Sequence, residues 1–269
     1  MKKLLLLLTC LVGSNSWSAC TYNFDATQAQ LDTLSQNAPN FNFFPTINGQ
    51  KFGFNLLSGL PTGSKGYYRL HLAASKLTME NAIKEQQSQN QSPITNFGDK
   101  QLPSSGIIAY EFNFKVLDNL TANSQVMFFP ITVSGDLENG KYGFIFSYSN
   151  GLTAEGKKSN SFLATFPTND PSKPKVIELF NVTAPSQLQK IGVYINQNSN
   201  QVGVIANGQN LGYIYTLPSK AKNIAFSFTS IYKDIQPADL NKEVSIELVT
   251  DKSKFTNAFP TGTTDICGN

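Results

Sequence analysis

The sequence predicts an all-β protein: an antiparallel β-sandwich with one or two short peripheral helices. Three observations predict it. Apolar residues alternate with polar ones over almost every segment after residue 100, the pattern of half-buried strands. Turn dipeptides such as Asn48-Gly49, Asn150-Gly151 and Asn207-Gly208 punctuate these segments. The length that follows residue 19, about 250 residues, suits one large sandwich with a substantial core.

The chain opens with Met1-Lys2-Lys3, a leucine-rich run from Leu4 to Val12, and a small, polar segment from Gly13 to Ala19. That order predicts a secretory signal peptide over 1–19, cleaved after Ser18 or Ala19. Its apolar run falls well short of the ~20 residues of a spanning helix. The domain expected is then 20–269, one β-sandwich, exported to the periplasm, the outer surface or the medium, with no transmembrane anchor. Removing Lys2 and Lys3 from 21 basic residues leaves 19 against 18 acidic ones, so charge argues against nucleic acid or an anionic membrane as partner. The only tryptophan, Trp17, leaves with the same segment.

Of three cysteines, Cys10 lies in the signal segment, leaving Cys20 and Cys267. In an oxidising compartment two cysteines read as one disulfide, with a chain-entropy ceiling of roughly 5 kcal/mol. The alternative is a lipoprotein acylated at Cys20 after cleavage at Ala19. It would place Trp17 where a lipobox has leucine and leave Cys267 unpaired.

Cys20–Phe24 reads as a strand, and Asp25 as the cap of a short helix over Gln28–Ser35. Phe41–Phe44 and Lys51–Asn55 are expected to pair across Asn48-Gly49. Tyr67–Ala74 reads as a strand and Thr78–Gln87 as an exposed helix. Strands follow at Ile108–Val116, Val126–Val133 and Tyr142–Tyr148, the last ended by Asn150-Gly151. Pro130 should mark an edge or a bulge, because it cannot donate to a ladder. Further strands are expected at Phe162–Phe166, Val176–Phe180, Ile191–Ile195, Val202–Ala206, Leu211–Tyr215, Ile224–Thr229 and Val244–Val249.

The run Ile191-Gly192-Val193-Tyr194-Ile195, followed by Val202-Gly203-Val204-Ile205-Ala206-Asn207-Gly208 and Leu211-Gly212-Tyr213, resembles the concanavalin A-like lectin/glucanase superfamily, with its laminin-G, SPRY and bacterial lectin-like modules. The resemblance implies an antiparallel jelly-roll β-sandwich. Asn207-Gly208 suits the tight turn of a hairpin there. The opening Cys20-Thr21-Tyr22-Asn23-Phe24-Asp25 also resembles a group of exported proteins of Gram-negative bacteria to which no activity is assigned.

Chemistry is sparse. A sandwich glucanase would need two carboxyl groups about 5 Å apart, as in Glu-x-Asp-x-x-Glu, and no such run exists. The nearest, Asp136-Leu137-Glu138, reads as a loop between strands, and Glu243 and Glu247 stand about 13 Å apart by strand rise. One histidine, His71, cannot build a zinc site, and no Gly-x-Ser-x-Gly elbow or phosphate-binding glycine loop occurs. No metal and no cofactor are expected. In Tyr67-Tyr68-Arg69-Leu70-His71-Leu72, alternation puts Tyr68, Leu70 and Leu72 inward and Tyr67, Arg69 and His71 on one outer face. An aromatic ring beside the only arginine and the only histidine suits a sugar or carboxylate ligand. The expected function is a non-enzymatic, lectin-like binding protein with glycan as its first ligand class. The alternative is a structural or assembly component of the cell surface working through protein–protein contacts.

Overall fold

The computed structural model describes residues 19–34, 41–43, 46–55, 69–88, 98–116, 126–152, 158–170, 172–184, 187–233 and 243–269. The segment up to Ser18 expected to be a signal peptide, with Cys10 and Trp17, therefore lies outside the described residues, as does Tyr67. In chain order the strands are β1 (Phe41–Phe43), β2 (Thr46–Asn48), β3 (Lys51–Asn55), β4 (Arg69–Ala74), β5 (Lys100–Gln101), β6 (Ile107–Lys115), β7 (Val126–Leu137) and β8 (Gly140–Leu152). They continue as β9 (Lys158–Phe166), β10 (Lys175–Asn181), β11 (Gln189–Asn196), β12 (Gln201–Ala206), β13 (Gln209–Thr216), β14 (Asn223–Lys233), β15 (Glu243–Val249) and β16 (Thr263–Asp265). Two helices, α1 (Gln28–Leu34) and α2 (Lys76–Ser88), flank β4 in sequence.

The strands form two sheets. One runs β1-β4-β14-β7-β8-β9-β10 with β5 beside β14; the other runs β13-β12-β11-β6-β15-β3-β2 with β16 beside β6. Pairing is antiparallel except at β1–β4 and β16–β6. Sequence-distant neighbours such as β4–β14–β7 and β11–β6–β15 give the crossover connections of a jelly-roll β-sandwich. The alternation read from the sequence makes this core. Phe112 and Phe114 of β6, Phe144 and Phe146 of β8, Phe162 and Phe166 of β9 and Phe226 and Phe228 of β14 are all fully buried between the sheets. Burying one such side chain contributes about 1.5–3 kcal/mol. The hairpin β12–β13 turns at Asn207 and Gly208, both at positive φ, as its two-residue loop requires.

Several expectations need correction. β8 runs through Asn150-Gly151 to Leu152, because β7 pairs with it as far as Asn150 and β9 as far as Leu152. Pro130 lies inside a central strand. It keeps its partner Ser147 in β8, while the β7–β14 ladder skips from Ile131 to Phe128 without changing register, so the missing donor is accommodated locally. Asp136 belongs to β7 and is buried, accepting from Asn223 Nδ2 at 2.8 Å; only Glu138 is exposed in the turn.

The N-terminal third departs further. Cys20–Phe24 joins no ladder. It runs between the sheets with Cys20 and Tyr22 buried and Thr21 and Asn23 exposed, and the Tyr22 N–H donates to Gln50 Oε1. Thr27, not Asp25, caps α1: its backbone N–H donates to Gln30 Oε1 at 2.9 Å, half of a capping box. Asp25 instead receives the Lys76 N–H at the start of α2 at 2.7 Å. β1 pairs with β4, and it is β2 that pairs with β3 across Asn48-Gly49. In β4 the expected facing is reversed. Leu72 and Ala74 point outward beneath the helices, packed with Leu31 and Met79, while Ala73 joins the central core.

The Cys20–Cys267 disulfide is formed, across 247 residues, with Cα atoms 5.8 Å apart. Before reaching it, the chain after β15 lies across the outer face of β6, β11 and β12. Phe255 and Phe259 cover Ala109, Tyr194 and Ile205. A side chain at Gly192 would meet the Phe259 ring at 2.9 Å, which accounts for the glycine in Ile-Gly-Val.

Candidate functional site

Two clefts flank the N-terminal segment. The larger, about 430 Å³, opens where Tyr22, the start of α2 and the residue before β5 meet. Asp99 lines it. The buried Tyr22 hydroxyl donates to Asp99 Oδ1 at 2.9 Å and accepts the Phe226 N–H of β14 at 3.1 Å, so a core strand fixes the phenol and the phenol fixes the carboxyl. The ring is wedged edge-on against Phe24 and Phe226, at 4.9 and 5.0 Å. Burial pushes the Asp99 carboxyl above its usual range; hydrogen bonds from Ser75 and Tyr22 hold it back in part, and Asp25 adds to the rise. Burial, and after it the charge of Asp99, pushes the Tyr22 phenol up.

The rest of the wall is supplied by α2. Ser75 caps the helix, its Oγ accepting the Thr78 N–H at 3.1 Å. Lys76 and Glu80 follow on the first turn and line the cleft, and Lys100 faces it from β5. Asp25 is engaged by the helix start, whereas Glu80 makes no hydrogen bond or ion pair among the described residues. The cleft thus holds a poised carboxyl, a second carboxylate without a partner and two ammonium groups. That set can give a proton at one point, take one at another and neutralise charge between them.

The smaller cleft, about 290 Å³, lies on the outer face of the second sheet. Asn113 of β6 and Glu247 of β15 form its floor, joined by Asn113 Nδ2 donating to Glu247 Oε2 at 3.1 Å. Asp251 and Lys254 form one wall and the Asn48-Gly49 turn another. Thr21 lines both clefts. Farther along β15, Glu243 is paired with Lys115 at 2.8 Å and with Lys51 at 3.7 Å.

The residues singled out from sequence lie elsewhere. His71 is buried, with Nδ1 3.1 Å from Ser230 Oγ, on the same side of the sheet as Ala73 and not on an outer face. Arg69 begins β4 opposite Tyr232. His71 lines neither cleft. Cys20, Cys267 and Asp265 are the only trio of potential metal ligands among the described residues, and the two sulfurs are bonded to each other. No described helix is long and apolar enough to cross a membrane. Tyr22, Ser75 and Asp99 escaped sequence reasoning because they stand on three separate segments. The one local signal was the Cys20–Asp25 run that carries Tyr22.

A family model described as "Domain of unknown function (DUF4882)" matches residues 3–269. No curated protein matches in sequence. Among solved structures, the family 7 alginate lyase A1-II′ is similar at 10% identity and a TM-score of 0.36, covering 74% of this chain and 76% of that one. The κ-carrageenase of Pseudoalteromonas carrageenovora, in complex with an oligotetrasaccharide of κ-carrageenan, is similar at 8% identity and a TM-score of 0.31, over 66% and 65%. The carbohydrate recognition domain of Emp46p is similar at 9% identity and a TM-score of 0.35, over 61% and 76%. At these values the likeness is one of fold. The expectation of a non-enzymatic binder, with a cell-surface assembly role as its alternative, is nonetheless corrected, since alginate lyases and a carrageenase, enzymes of polysaccharide breakdown, stand among the similar structures.

Proposed function

The chain belongs to the family described as Domain of unknown function (DUF4882), and for it we propose a saccharide-cleaving enzyme whose proton donor is Asp99. The observation that carries the reading is the Asp99–Tyr22 pair on the wall of the larger cleft, with Glu80 unpartnered nearby. A carboxyl group that burial shifts toward its protonated form can deliver its proton to a glycosidic oxygen as the bond to the anomeric carbon breaks. The negative charge left on Asp99 then strengthens the hydrogen bond from Tyr22, so the phenol favours the state after proton transfer over the one before it. Glu80 is the second carboxyl group, assigned to take a proton from the attacking water. Lys76 and Lys100 bind electronegative substituents of the sugar. Saccharide as the substrate class rests on fold-level analogy, and the acid–base assignment rests on the cleft.

In this reading the 1–19 segment is a signal peptide, the domain is 20–269, and the enzyme works beyond the inner membrane, where its disulfide persists. The test is the oxidised 20–269 protein against a panel of neutral and uronic-acid polysaccharides. Reducing ends and ultraviolet-absorbing unsaturated ends are followed separately, with Asp99→Asn alongside. New reducing ends without unsaturation, lost in Asp99→Asn, support hydrolysis by this site. Unsaturated ends would replace hydrolysis by elimination, and equal rates in the two proteins would remove Asp99 from the chemistry.

A further inference from the structure

We infer that the outer face of β11, β12 and β13 is a separate saccharide-holding surface, set apart from both clefts, on which the Tyr213 ring stacks one uncharged sugar unit of a polymer. The inference takes its ligand class from the saccharide-cleaving reading, goes beyond it in place and role, and makes no use of Asp99.

Composition and register lead to this surface together. From Ile191 to Ser219 the chain has no Asp, Glu, Lys, Arg or His, and its polar side chains are Asn, Gln, Ser, Thr and Tyr. Tyr213 of β13, Gly203 of β12 and Tyr194 of β11 stand side by side on the outer face, with Gln201 and Asn196 in the next row. Gly203 has no side chain, so the Tyr194 ring lies across it and the Tyr194 hydroxyl donates to Asn210 Oδ1 at 3.0 Å. Tyr213 meets Tyr194 edge-on, with ring centroids 5.3 Å apart. Tyr194 is buried as the support, whereas Tyr213 is 41% exposed, so the outer ring offers its surface to a ligand.

Hydrogen bonds fix the ring and orient the atoms around it. The Asn198 and Ser199 backbone N–H groups donate to Asn196 Oδ1 at 3.0 and 3.3 Å, so the Asn196 amide nitrogen faces the Tyr213 hydroxyl and donates to it at 3.0 Å. The hydroxyl accepts on that side and keeps its own proton for another partner. The Gly212 N–H donates to Asn210 Oδ1 at 2.8 Å, which leaves Asn210 Nδ2, on an exposed side chain, without an acceptor among the described residues. The Gln201 amide makes no hydrogen bond among the described residues and reaches solvent, so it has both a donor and an acceptor to offer. A fixed ring flanked by free amide and hydroxyl groups, with no charge among them, fits the C–H face of a neutral sugar, whose hydroxyls project around its edge.

A protein partner fits less well. A standard protein interface buries about 800 Å² on each side around an apolar core. Among the large apolar side chains of β11–β13 only Tyr213 is exposed, which suits one sugar ring and not such a core. β13 ends the second sheet and β10 ends the first, and Lys175 of β10 donates to the Ile214 carbonyl at 3.0 Å, so the two end strands share one rim. The larger cleft lies toward the other rim, beside β5, β14 and the start of α2. A polymer held at Tyr213 stays close to the protein while the cleft is free to take another stretch of it.

The test is affinity electrophoresis of the oxidised 20–269 protein, carrying Asp99→Asn so that polymer is not consumed, in native gels containing hydroxyethylcellulose, galactomannan or alginate. Retardation by a neutral polymer is expected. Adding Tyr213→Ala should weaken that affinity about tenfold, and Tyr213→Phe, which keeps the ring, about threefold or less. Gln201→Ala reads the same surface should Tyr213→Ala fail to fold, with a loss of about threefold. Equal affinity in parent and variants, retardation by alginate alone, or no retardation at all overturns the surface. Loss of a dimer in Tyr213→Ala by sedimentation, without retardation of the parent, would give the face to protein contact instead. The protein with Asp99 intact is assayed for cleavage in parallel. Retardation without cleavage removes the Asp99 reading and leaves the surface standing, and cleavage without retardation does the reverse.

Discussion

Two carboxyl groups of this fold are taken out of water in opposite ways. Glu111 of β6 is fully buried, yet four donors converge on it: the Thr256 and Asn257 backbone N–H groups at 2.9 and 2.7 Å, the Thr256 hydroxyl and the Asn257 amide. It pins the segment that covers the second sheet. Asp99 is only partly buried, but its donors are few and burial outweighs them. Burial alone therefore does not mark a reactive carboxyl. What separates the two sites is the set of donors supplied with the burial: four converge on Glu111, which pins a covering segment, while Asp99 is the group proposed to donate a proton.

The widest separation between the two sites is expected in turnover. Asp99→Asn keeps an acceptor for Tyr22 but removes the proton, and should lower kcat by about 10²–10⁴-fold in the saccharide assay. Glu111→Ala should reverse the pattern. It strands buried donors and should lower the unfolding free energy by about 3 kcal/mol in urea titration, with turnover per folded molecule preserved. Circular dichroism is the suitable probe, because no tryptophan lies beyond Trp17. Reducing Cys20–Cys267 should cost about 2–4 kcal/mol and also reduce turnover, since Tyr22 stands two residues from the bond. If reduction alters stability alone, Tyr22 is held by its own packing.

The smallest effect concerns pH. A carboxyl whose folded value is raised contributes stability that is complete below its unfolded value, near pH 4, and is lost as pH rises through the folded value. Asp99→Asn should therefore melt slightly above the native protein at neutral pH, with the difference closing toward pH 4. A variant less stable than native at pH 7 would place Asp99 with Glu111, as a structural acceptor.

The sequence was informative where burial is periodic. β6, β8 and the β11–β12–β13 hairpins were legible because each alternate residue meets the opposite sheet, and Asn207-Gly208 can satisfy only one kind of turn. The all-β class followed from that, and the jelly roll from the family resemblance of the β11–β13 run. Legibility failed where a single long-range partner decides. Asp136 reads as a loop residue until Asn223, 87 positions away, is seen to hold it. His71 reads as outward-facing because its neighbours are leucines, yet Leu72 serves a second, smaller core under α1 and α2. The larger cleft belongs to this kind. Tyr22 and Asp99 meet 77 positions apart through one hydrogen bond, and no local pattern of either segment requires it.

The disulfide also sets a clock. Synthesis proceeds from the N-terminus, so Cys20 waits through 247 residues for its partner. Until Cys267 has been made and both thiols have met an oxidant, the covalent hold on the segment carrying Tyr22, the hydrogen-bond partner of Asp99, is absent. A reducing compartment keeps the molecule in that state. On the proposed reading, the acid site is thus completed last, only after the whole chain has been made and its two thiols oxidised.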